Sequence, residues 1–386
     1  MVQQRSLRAL VMRGGTSKGI YINENQLPSD QRERDQVILR MFGSPDRRQI
    51  DGIGGADLLT SKCCVMGPPS RADADIDYTF VQVSVELPEV SYDINCGNLS
   101  PGAAVFAIRE GFVRVTEPVT TVRIHNTNLN RILTAYVPIC KGEPAVDGDY
   151  AIDGVPGTGA EVVLDYSKAG GGTTGKLLPM NAPAVSVFLP LLGREITVSV
   201  VDIGNLTAFV RAEDFGMTGT EIPDEAVEKY KLFGQLQEVI AEALQMKDAN
   251  LLPFTVAVSK SQEYITFGTG TKVSPDDCDF VARLVHGPVK LFKTGVMHKA
   301  FPGTASVATA VAALIPGTVV NEVSKARPQA GYVRIGHPSG SIKVTAEVDS
   351  ADEVAVRKVF FSRTVRPIME GHLFVPESFY AASGIK

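Results

Sequence analysis

Short apolar runs bounded by turn residues predict that the first half of the chain is built mainly of strands. The predicted strands are residues 7–12, 19–22, 59–66, 78–85, 119–125 and 131–137. Residues 30–42 instead place apolar side chains such as Val37 and Met41 on one face, which predicts a helix. Ser29 is the predicted N-cap of that helix.

The second half follows a glycine-rich segment at residues 169–175, near which we predict a domain junction. The longest helical pattern covers residues 225–246. A serine, a proline and two acidic residues at 274–277 predict the start of another helix that ends near Gly287. A third helix is predicted over residues 305–314, which a proline and a glycine follow. The predicted strands are residues 196–201, 206–210, 254–258, 333–335, 341–348 and 356–365.

The two halves resemble each other, which indicates an internal repeat. In each half a loop of small residues, 95–102 or 301–304, leads into an alanine-rich helix, and the turn at 14–20 resembles the one at 336–342. Helices with such short apolar side chains are usually buried, because a sheet can pack closely around them. We therefore predict an α/β chain of two similar domains, each with a sheet wrapped around a central helix, and a last strand that crosses back to the first domain. The predicted domains are residues 1–182 and 183–386.

Composition and charge mainly exclude classes of protein. Hydrophobic residues make up 44% of the 386 residues and charged residues 21%, which is typical of globular domains. The net charge of −5 is spread without a basic cluster, which argues against a nucleic-acid surface. No apolar run reaches the roughly 18 residues of a membrane helix, and the N-terminus lacks a secretory apolar segment. Five cysteines without C-x-x-C spacing predict neither a zinc site nor disulfides, and fit the cytoplasm.

Cys96 lies in a loop of small and amide residues immediately before a predicted helix. Pro101 is tolerated in the first turn of that helix, and Gly111 is placed to end it. The N–H groups and the dipole of a helix start favour a thiolate over a thiol, so Cys96 is a candidate acid/base group. A small residue in a tight turn is the alternative interpretation.

Lys62 lies among small and apolar residues in a predicted strand. Its side chain either points outward to solvent, which is the commoner case, or points into a partly dry cleft. In the second case desolvation favours the neutral amine and prepares it as a general base. Cys63 and Cys64 are expected to be small buried side chains on opposite faces of the strand.

Two turns are suited to binding a carboxylate. Thr16 and Ser17 offer hydroxyls beside backbone N–H groups in a glycine turn. This turn is not a nucleotide phosphate loop, because a strand rather than a helix follows it. Gly303, Thr304 and Ala305 offer N–H groups at a helix N-terminus. Such a pair of sites fits a small substrate with several carboxylates.

The five histidines lack metal-ligand spacing, so no metal site is predicted. His298 lies just before the turn at Gly303, and His337 shares a turn with Ser339. These three residues are candidate substrate-binding residues, and a hydrogen-bonded structural histidine is the alternative for each imidazole. A serine hydrolase is disfavoured, because the chain has no G-x-S-x-G nucleophile elbow: residues 15–19 have that spacing, but a predicted strand rather than a helix follows them.

Several motifs together resemble the PrpF family in the expected order along nearly the whole chain. They include Gly-Gly-Thr-Ser-Lys-Gly at 14–19, Thr-Ser-Lys at 60–62, Asn-Cys-Gly-Asn at 95–98, Pro-Gly-Thr-Ala at 302–305 and Gly-His-Pro-Ser-Gly at 336–340. The family includes 2-methylaconitate and 3-methylitaconate isomerases, aconitate isomerases and 4-oxalomesaconate tautomerase. The resemblance implies a diaminopimelate-epimerase-like fold, an active site between two similar domains, and allylic isomerisation without a cofactor. The family's lysine and cysteine fall on Lys62 and Cys96.

The resemblance and the residues together predict an isomerase that moves a proton and a C=C bond in an unsaturated di- or tricarboxylate. Candidate substrates are 3-methylitaconate, 2-methylaconitate and aconitate. Lys62 is the predicted principal acid/base, Cys96 is a second acid/base or an orienting group, and Gly97 and Asn98 join Thr16 and Ser17 as donors to the substrate. A homodimer and a functional link to an aconitase-like hydratase are family-level expectations.

Two other functions stay open at this stage. A non-catalytic accessory protein that binds polycarboxylates for a hydratase would use the same anion-binding turns. An amino-acid epimerase with this fold needs two thiols, and the loop at residues 302–305 has no cysteine to match Cys96. The epimerase is therefore the weaker alternative.

Overall fold

The structure is a computed structural model that describes residues 3–93, 95–223, 225–246, 252–287, 295–349 and 354–383. Its strands are β1 (Gln4–Gly14), β2 (Ser17–Asn23), β3 (Lys62–Gly67), β4 (Ile76–Val83), β5 (Val90–Ser91), β6 (Val119–Asn126), β7 (Arg131–Cys140), β8 (Glu143–Pro144), β9 (Tyr150–Ala151), β10 (Thr158–Gly159), β11 (Glu161–Asp165), β12 (Val185–Leu189), β13 (Arg194–Ile203), β14 (Asn205–Arg211), β15 (Phe254–Lys260), β16 (Tyr264–Ile265), β17 (Lys272–Val273), β18 (Phe280–His286), β19 (Val296–Met297), β20 (Tyr332–His337), β21 (Gly340–Asp349) and β22 (Ala355–Pro376). Its α-helices are α1 (Gln31–Phe42), α2 (Ser100–Arg109), α3 (Tyr230–Ala243), α4 (Gly303–Leu314), α5 (Val319–Val323) and α6 (Glu377–Ser383). Short 3₁₀ helices cover Glu24–Gln26, Ala212–Phe215, Val227–Lys229 and Pro328–Ala330.

The chain divides into two compact units. Unit 1 comprises Met1–Ala151, Gly157–Val163 and Arg363–Lys386, and unit 2 comprises Ile152–Pro156 and Leu164–Ser362. The long strand β22 begins in unit 2 and ends in unit 1. The domain boundary expected between residues 182 and 183 stays a prediction.

The sheet of unit 1 begins with the antiparallel hairpin β1–β2. Strand β3 then pairs parallel with β2, and β4 pairs antiparallel with β3. Strand β6 pairs parallel with β4 and forms a hairpin with β7. A parallel pair needs a crossover connection, and α1 and α2 lie in the two crossovers of this sheet. The second part of β22 pairs antiparallel with β1.

Unit 2 repeats this order of pairings. Its hairpin is β13–β14, β15 pairs parallel with β14, and β18 pairs antiparallel with β15. Strand β20 pairs parallel with β18 and forms a hairpin with β21, and α3 and α4 lie in the two crossovers. The predicted internal repeat is therefore confirmed. The predicted match between the turns at 14–20 and 336–342 is wrong, because the hairpin that corresponds to β1–β2 turns at Gly204.

The small-residue helices α2 and α4 are buried, as predicted. All twelve residues of α4 are buried, and it packs against β13, β14, β20 and β21 of its own unit. Helix α2 is buried from Ser100 to Ile108 and packs against β1, β4, β6 and β7. The opposite face of each sheet is covered by a larger amphipathic helix, α1 in unit 1 and α3 in unit 2. Among the described helices, none has the length and apolar character needed to cross a lipid bilayer.

The other predicted helices differ from the structure in instructive ways. Asp30, rather than Ser29, caps α1, because its carboxylate accepts a hydrogen bond from the N–H of Glu33 at 3.0 Å. Helix α3 is shorter than its predicted range of 225–246. The helix predicted to begin at residues 274–277 is wrong: these residues form a capped turn, and the apolar run after them is strand β18. This strand is buried on both faces, so it lacks the alternation by which a strand is recognised.

Candidate active site

Strand β3 presents its side chains alternately to α2 and to α1. We call the side of the unit 1 sheet towards α2 the inner face, and the side towards α1 the outer face. Cys63 and Val65 belong to the apolar cluster that includes Val37 of α1, so they lie on the outer face. Lys62 and Cys64 alternate with them and therefore lie on the inner face. The two cysteines are on opposite faces and both are buried, as predicted.

Lys62 is the first residue of β3 and is buried, with 6% of its surface exposed. Its Nζ donates a hydrogen bond to Oε1 of Gln82, its cross-strand partner on β4, at 2.9 Å. The same Nζ lies 5.0 Å from the centroid of the Phe80 ring. Of the two orientations that the sequence left open, the structure thus shows the buried one. Gln82 is not recognisable as a site residue from the sequence, because only the register of β3 against β4 pairs it with Lys62.

The Cys96 loop lies at the start of α2 and is held by backbone and tyrosine contacts. The carbonyl oxygen of Cys96 accepts hydrogen bonds from the N–H groups of Leu99 and Ser100, both at 3.0 Å. Tyr78 Oη also donates to the Cys96 carbonyl, at 3.5 Å, and Tyr21 Oη donates to the Leu99 carbonyl at 2.6 Å. Cys96 is 8% exposed, so the loop presents a largely buried thiol.

The glycines of the β1–β2 hairpin make room for this loop rather than for a phosphate. A Cβ added to Gly14 would lie 2.3 Å from the carbonyl oxygen of Asn98. A Cβ added to Gly19 would lie 2.6 Å from Cδ1 of Leu99. Both separations are far below van der Waals contact, so a larger residue at either position would displace the loop. The glycine turn therefore leaves the space that the residues around Cys96 occupy.

The two thiols of strand β3 are unsuited to acid/base chemistry. Burial raises the pKa of Cys63 to about 12, and burial raises the pKa of Cys64 well above its usual value. Cys64 hydrogen-bonds to the Tyr21 and Tyr78 side chains, and burial likewise raises the pKa of Tyr21. These groups stay protonated at neutral pH, which leaves Cys96 as the candidate thiol of the inner face.

The predicted donors Thr16 and Asn98 are in contact. Asn98 Nδ2 donates to Thr16 Oγ1 at 3.1 Å, and Asn98 Oδ1 accepts from Nε of Arg363 at 2.8 Å. Arg363 is 3% exposed and was not predicted, because 265 positions of sequence separate it from Asn98. Ser17 is 2% exposed, and within the described structure its Oγ has no hydrogen-bond partner. A buried hydroxyl without a partner is costly, and a ligand oxygen would satisfy it.

In unit 2, the structure brings the predicted histidines and Ser339 close to one short segment, residues 298–301. The Nδ1 of His298 accepts from the N–H of Ala300, and the Nδ1 of His337 accepts from the N–H of Ser339, each at 3.1 Å. Ser339 Oγ donates to the carbonyl of Lys299 at 2.6 Å. Because Nδ1 is an acceptor in both histidines, the ring proton of the neutral form is on Nε2.

The N-terminus of α4 has the same relation to its hairpin as the Cys96 loop has in unit 1. A Cβ on Gly204 would lie 2.7 Å from the carbonyl oxygen of Thr304, and Gly204 has a positive φ of 73°. Asn205 follows Gly204 in this hairpin and donates from Nδ2 to Thr304 Oγ1 at 3.0 Å. Gly303 and Ala305 flank Thr304 in the first turn of α4, and all three are buried.

The positions that correspond to Lys62 and Gln82 carry different chemistry in unit 2. Phe254 is the first residue of β15, as Lys62 is the first residue of β3. The ring of Phe254 contacts the ring of His286 on β18, with centroids 4.9 Å apart, where unit 1 has the Lys62–Gln82 hydrogen bond. Only unit 1 thus carries an amine at this position of the repeat. Groups of three or more His, Cys, Asp or Glu side chains suited to a metal ion do not occur among the described residues.

Replacing Gly102 with alanine is expected to destabilise the protein by about 1–3 kcal/mol. Alanine normally favours a helix over glycine by roughly 0.5–1 kcal/mol, but here its Cβ would lie 2.1 Å from Oη of the buried Tyr21. The steric term is the larger one and sets the sign. Urea denaturation of Gly102→Ala measures the loss. Gly371→Ala is the matched control, because a Cβ there meets nothing within 4 Å, and equal stability of the two variants would contradict the predicted clash.

The topology and the paired loops define a chain with the racemase and epimerase fold. A crystal structure of a hydroxyproline epimerase from Agrobacterium vitis superposes with a TM-score of 0.58 at 12% identity, over 97% of this chain and 94% of that chain. The PrpF protein family model matches residues 4–376, so the chain belongs to the PrpF family. It is 44% identical to the 3-methylitaconate isomerase of Eubacterium barkeri, over 98% of this chain and 99% of the relative. The crystal structure of a methylitaconate-delta-isomerase gives a TM-score of 0.78 at 42% identity, over 98% of this chain and 97% of that chain. The predicted fold, family and isomerase class are confirmed.

Proposed function

We propose that this protein is a cofactor-independent isomerase that moves a proton and a C=C bond in a small unsaturated di- or tricarboxylate. The observation that carries this proposal is the buried Lys62, whose hydrogen-bond partner is a neutral amide, on the face that also carries the Cys96 loop. The 44% identity to an enzyme named 3-methylitaconate isomerase makes 3-methylitaconate the first candidate substrate. 2-Methylaconitate and aconitate are the next candidates.

In the proposed reaction, the neutral amine of Lys62 removes a proton from the carbon next to the C=C bond. The electron pair of that C–H bond spreads over the allyl system into the conjugated carboxylate, and a new C=C bond forms one position away. A proton returns to the far carbon, from the Lys62 ammonium or from Cys96, so that the number of protons is unchanged. The reaction needs no oxidant or reductant.

Donors aimed at the carboxylate stabilise it as negative charge develops there. Ser17 is the strongest candidate, because its buried Oγ has no partner within the described structure. Thr16, Gly97 and Asn98 are further candidates, and Arg363 fixes the orientation of the Asn98 amide. In unit 2, His298, Gly303, Thr304, Ala305, His337 and Ser339 stay proposed substrate-binding residues. A homodimer, a cytoplasmic location and a link to an aconitase-like hydratase also stay proposals.

The test of the function is isotope exchange in D₂O. We expect proton NMR to show deuterium entering the allylic carbons of 3-methylitaconate, 2-methylaconitate or trans-aconitate, together with signals of the isomeric product. Proline and diaminopimelate serve as controls that should not exchange. Binding of a polycarboxylate without exchange across the panel would support a non-catalytic binding protein instead. Exchange at the α-carbon of an amino acid would support an epimerase.

A further inference from the structure

We propose that Gln82 is a positioning residue that keeps Lys62 available as a base, by giving its amine an uncharged hydrogen-bond acceptor. Gln82 is 1% exposed and lies directly opposite Lys62 in the β3–β4 register. Its Oε1 accepts from Lys62 Nζ at 2.9 Å. The inference rests on the isomerase function proposed above, and it assigns the residue that orients the base.

The orientation of the Gln82 amide is fixed by its surroundings. Its Nε2 donates to the carbonyl oxygen of Ser61 at 2.9 Å, with longer contacts to the carbonyls of Leu58 at 3.3 Å and Val83 at 3.4 Å. These three neighbours are acceptors only, so the nitrogen must face them and the oxygen must face Lys62. A flipped amide would oppose oxygen to oxygen and nitrogen to ammonium. The acceptor presented to Lys62 is therefore determined by the backbone.

Among the described residues of β2, β3 and β4, no carboxylate lies on the face of the sheet that carries Lys62. On the inner face, the titratable groups of the strands β2, β3 and β4 besides Lys62 are Tyr21, Cys64 and Tyr78, and the adjoining loop adds Cys96. Burial keeps Tyr21 and Cys64 neutral, because it raises the pKa of each well above the usual value. No described residue of these strands places an Asp or Glu on this face.

Three acidic residues on the flanking segments have other partners. Asp57, before β3, accepts from the N–H of Leu59 at 2.8 Å. After β4, Glu86 pairs with Arg47, and Asp93 accepts from Ser91 Oγ at 2.8 Å. A carboxylate in direct contact would favour the ammonium over the amine, and it would hold the proton that the base must be free to accept. The neutral amide of Gln82 positions the nitrogen of Lys62 without adding a negative charge that would favour the ammonium.

The experiment replaces the neutral acceptor with a charged one of the same shape. In Gln82→Glu we expect kcat at neutral pH to fall about 10–1000-fold and the pH–activity profile to move up by about one to three pH units, while KM changes less. Gln82→Met removes the acceptor without adding charge, so kcat should fall at every pH with no upward displacement of the profile. Gln237→Met is the matched control: Gln237 is equally buried and both of its amide atoms are also hydrogen-bonded, but its partners are backbone groups and it lies on α3.

Two measurements distinguish a failure of this proposal from a failure of the proposed function. Exchange of the candidate substrates in D₂O tests the function, whereas the pH displacement in Gln82→Glu tests Gln82. The ¹³Cε NMR signal of Lys62, assigned by its absence in Lys62→Ala, gives the second test without substrate. We expect the pH at which this signal changes to be higher in Gln82→Glu than in the unaltered protein. Unchanged kcat in Gln82→Met, together with an unchanged signal and activity profile in Gln82→Glu, would overturn the proposal, even if the protein is an isomerase.

Discussion

Replacing Lys62 with methionine is expected to lower kcat for isomerisation by about 10²–10⁴-fold, the usual contribution of a general acid/base group. Methionine keeps the unbranched, apolar stem in the buried position of Lys62, so the fold should persist while the amine is lost. KM should change little, because the amine acts on the reacting carbon and not on the carboxylates that bind the substrate. Steady-state kinetics with 3-methylitaconate, and exchange in D₂O, measure both effects.

Lys343→Met is the control for this variant. Lys343 is an exposed lysine within strand β21, so its loss should leave kcat unchanged. Lys62→Ala should be as inactive as Lys62→Met, although the cavity it leaves can also lower the stability, which thermal unfolding measures separately. Normal turnover in a folded Lys62→Met protein would remove Lys62 from the mechanism.

The second large effect is expected at Cys96. Cys96→Ala should lower kcat by about 10²-fold or more if the thiol transfers a proton, because alanine can neither donate nor accept one. Cys96→Ser separates the two proposed roles. A hydroxyl can orient a substrate but is a much weaker acid than a thiol, so serine should restore activity only if Cys96 orients. Cys140→Ser, at an exposed thiol, is the control. Full activity of Cys96→Ala would exclude both roles.

The residues that carry the proposed chemistry were predictable because they belong to short local motifs. Lys62 and Cys96 stand out by residue type among small neighbours, and the resemblance to a family names the same two positions. Gln82 and Arg363 were not predictable in this way. Gln82 becomes a partner of Lys62 only through strand register, and Arg363 reaches Asn98 from the far end of the sequence.

The order of helices and strands was partly predictable, and the wrong prediction of a helix where β18 lies has a physical cause. The turn at residues 274–277 has the composition of a helix start. Strand β18 after it is buried on both faces, so its apolar residues do not alternate with polar ones and cannot be told from a buried helix. The internal repeat, by contrast, predicts a strand at this position. The first half runs hairpin, helix, two strands and helix, and applying that order to the second half requires a strand where β18 lies.

The buried position of Lys62, whose amine is bonded to Gln82, has a stereochemical consequence. A racemase inverts a carbon because one base takes the proton from one side and a second acid returns it to the other. If Lys62 both removes and returns the proton, the transfer is suprafacial: it begins and ends on the same side of the planar allyl system. Part of the hydrogen removed from the substrate should then reappear at the far carbon of the product, even in a solvent of heavy water.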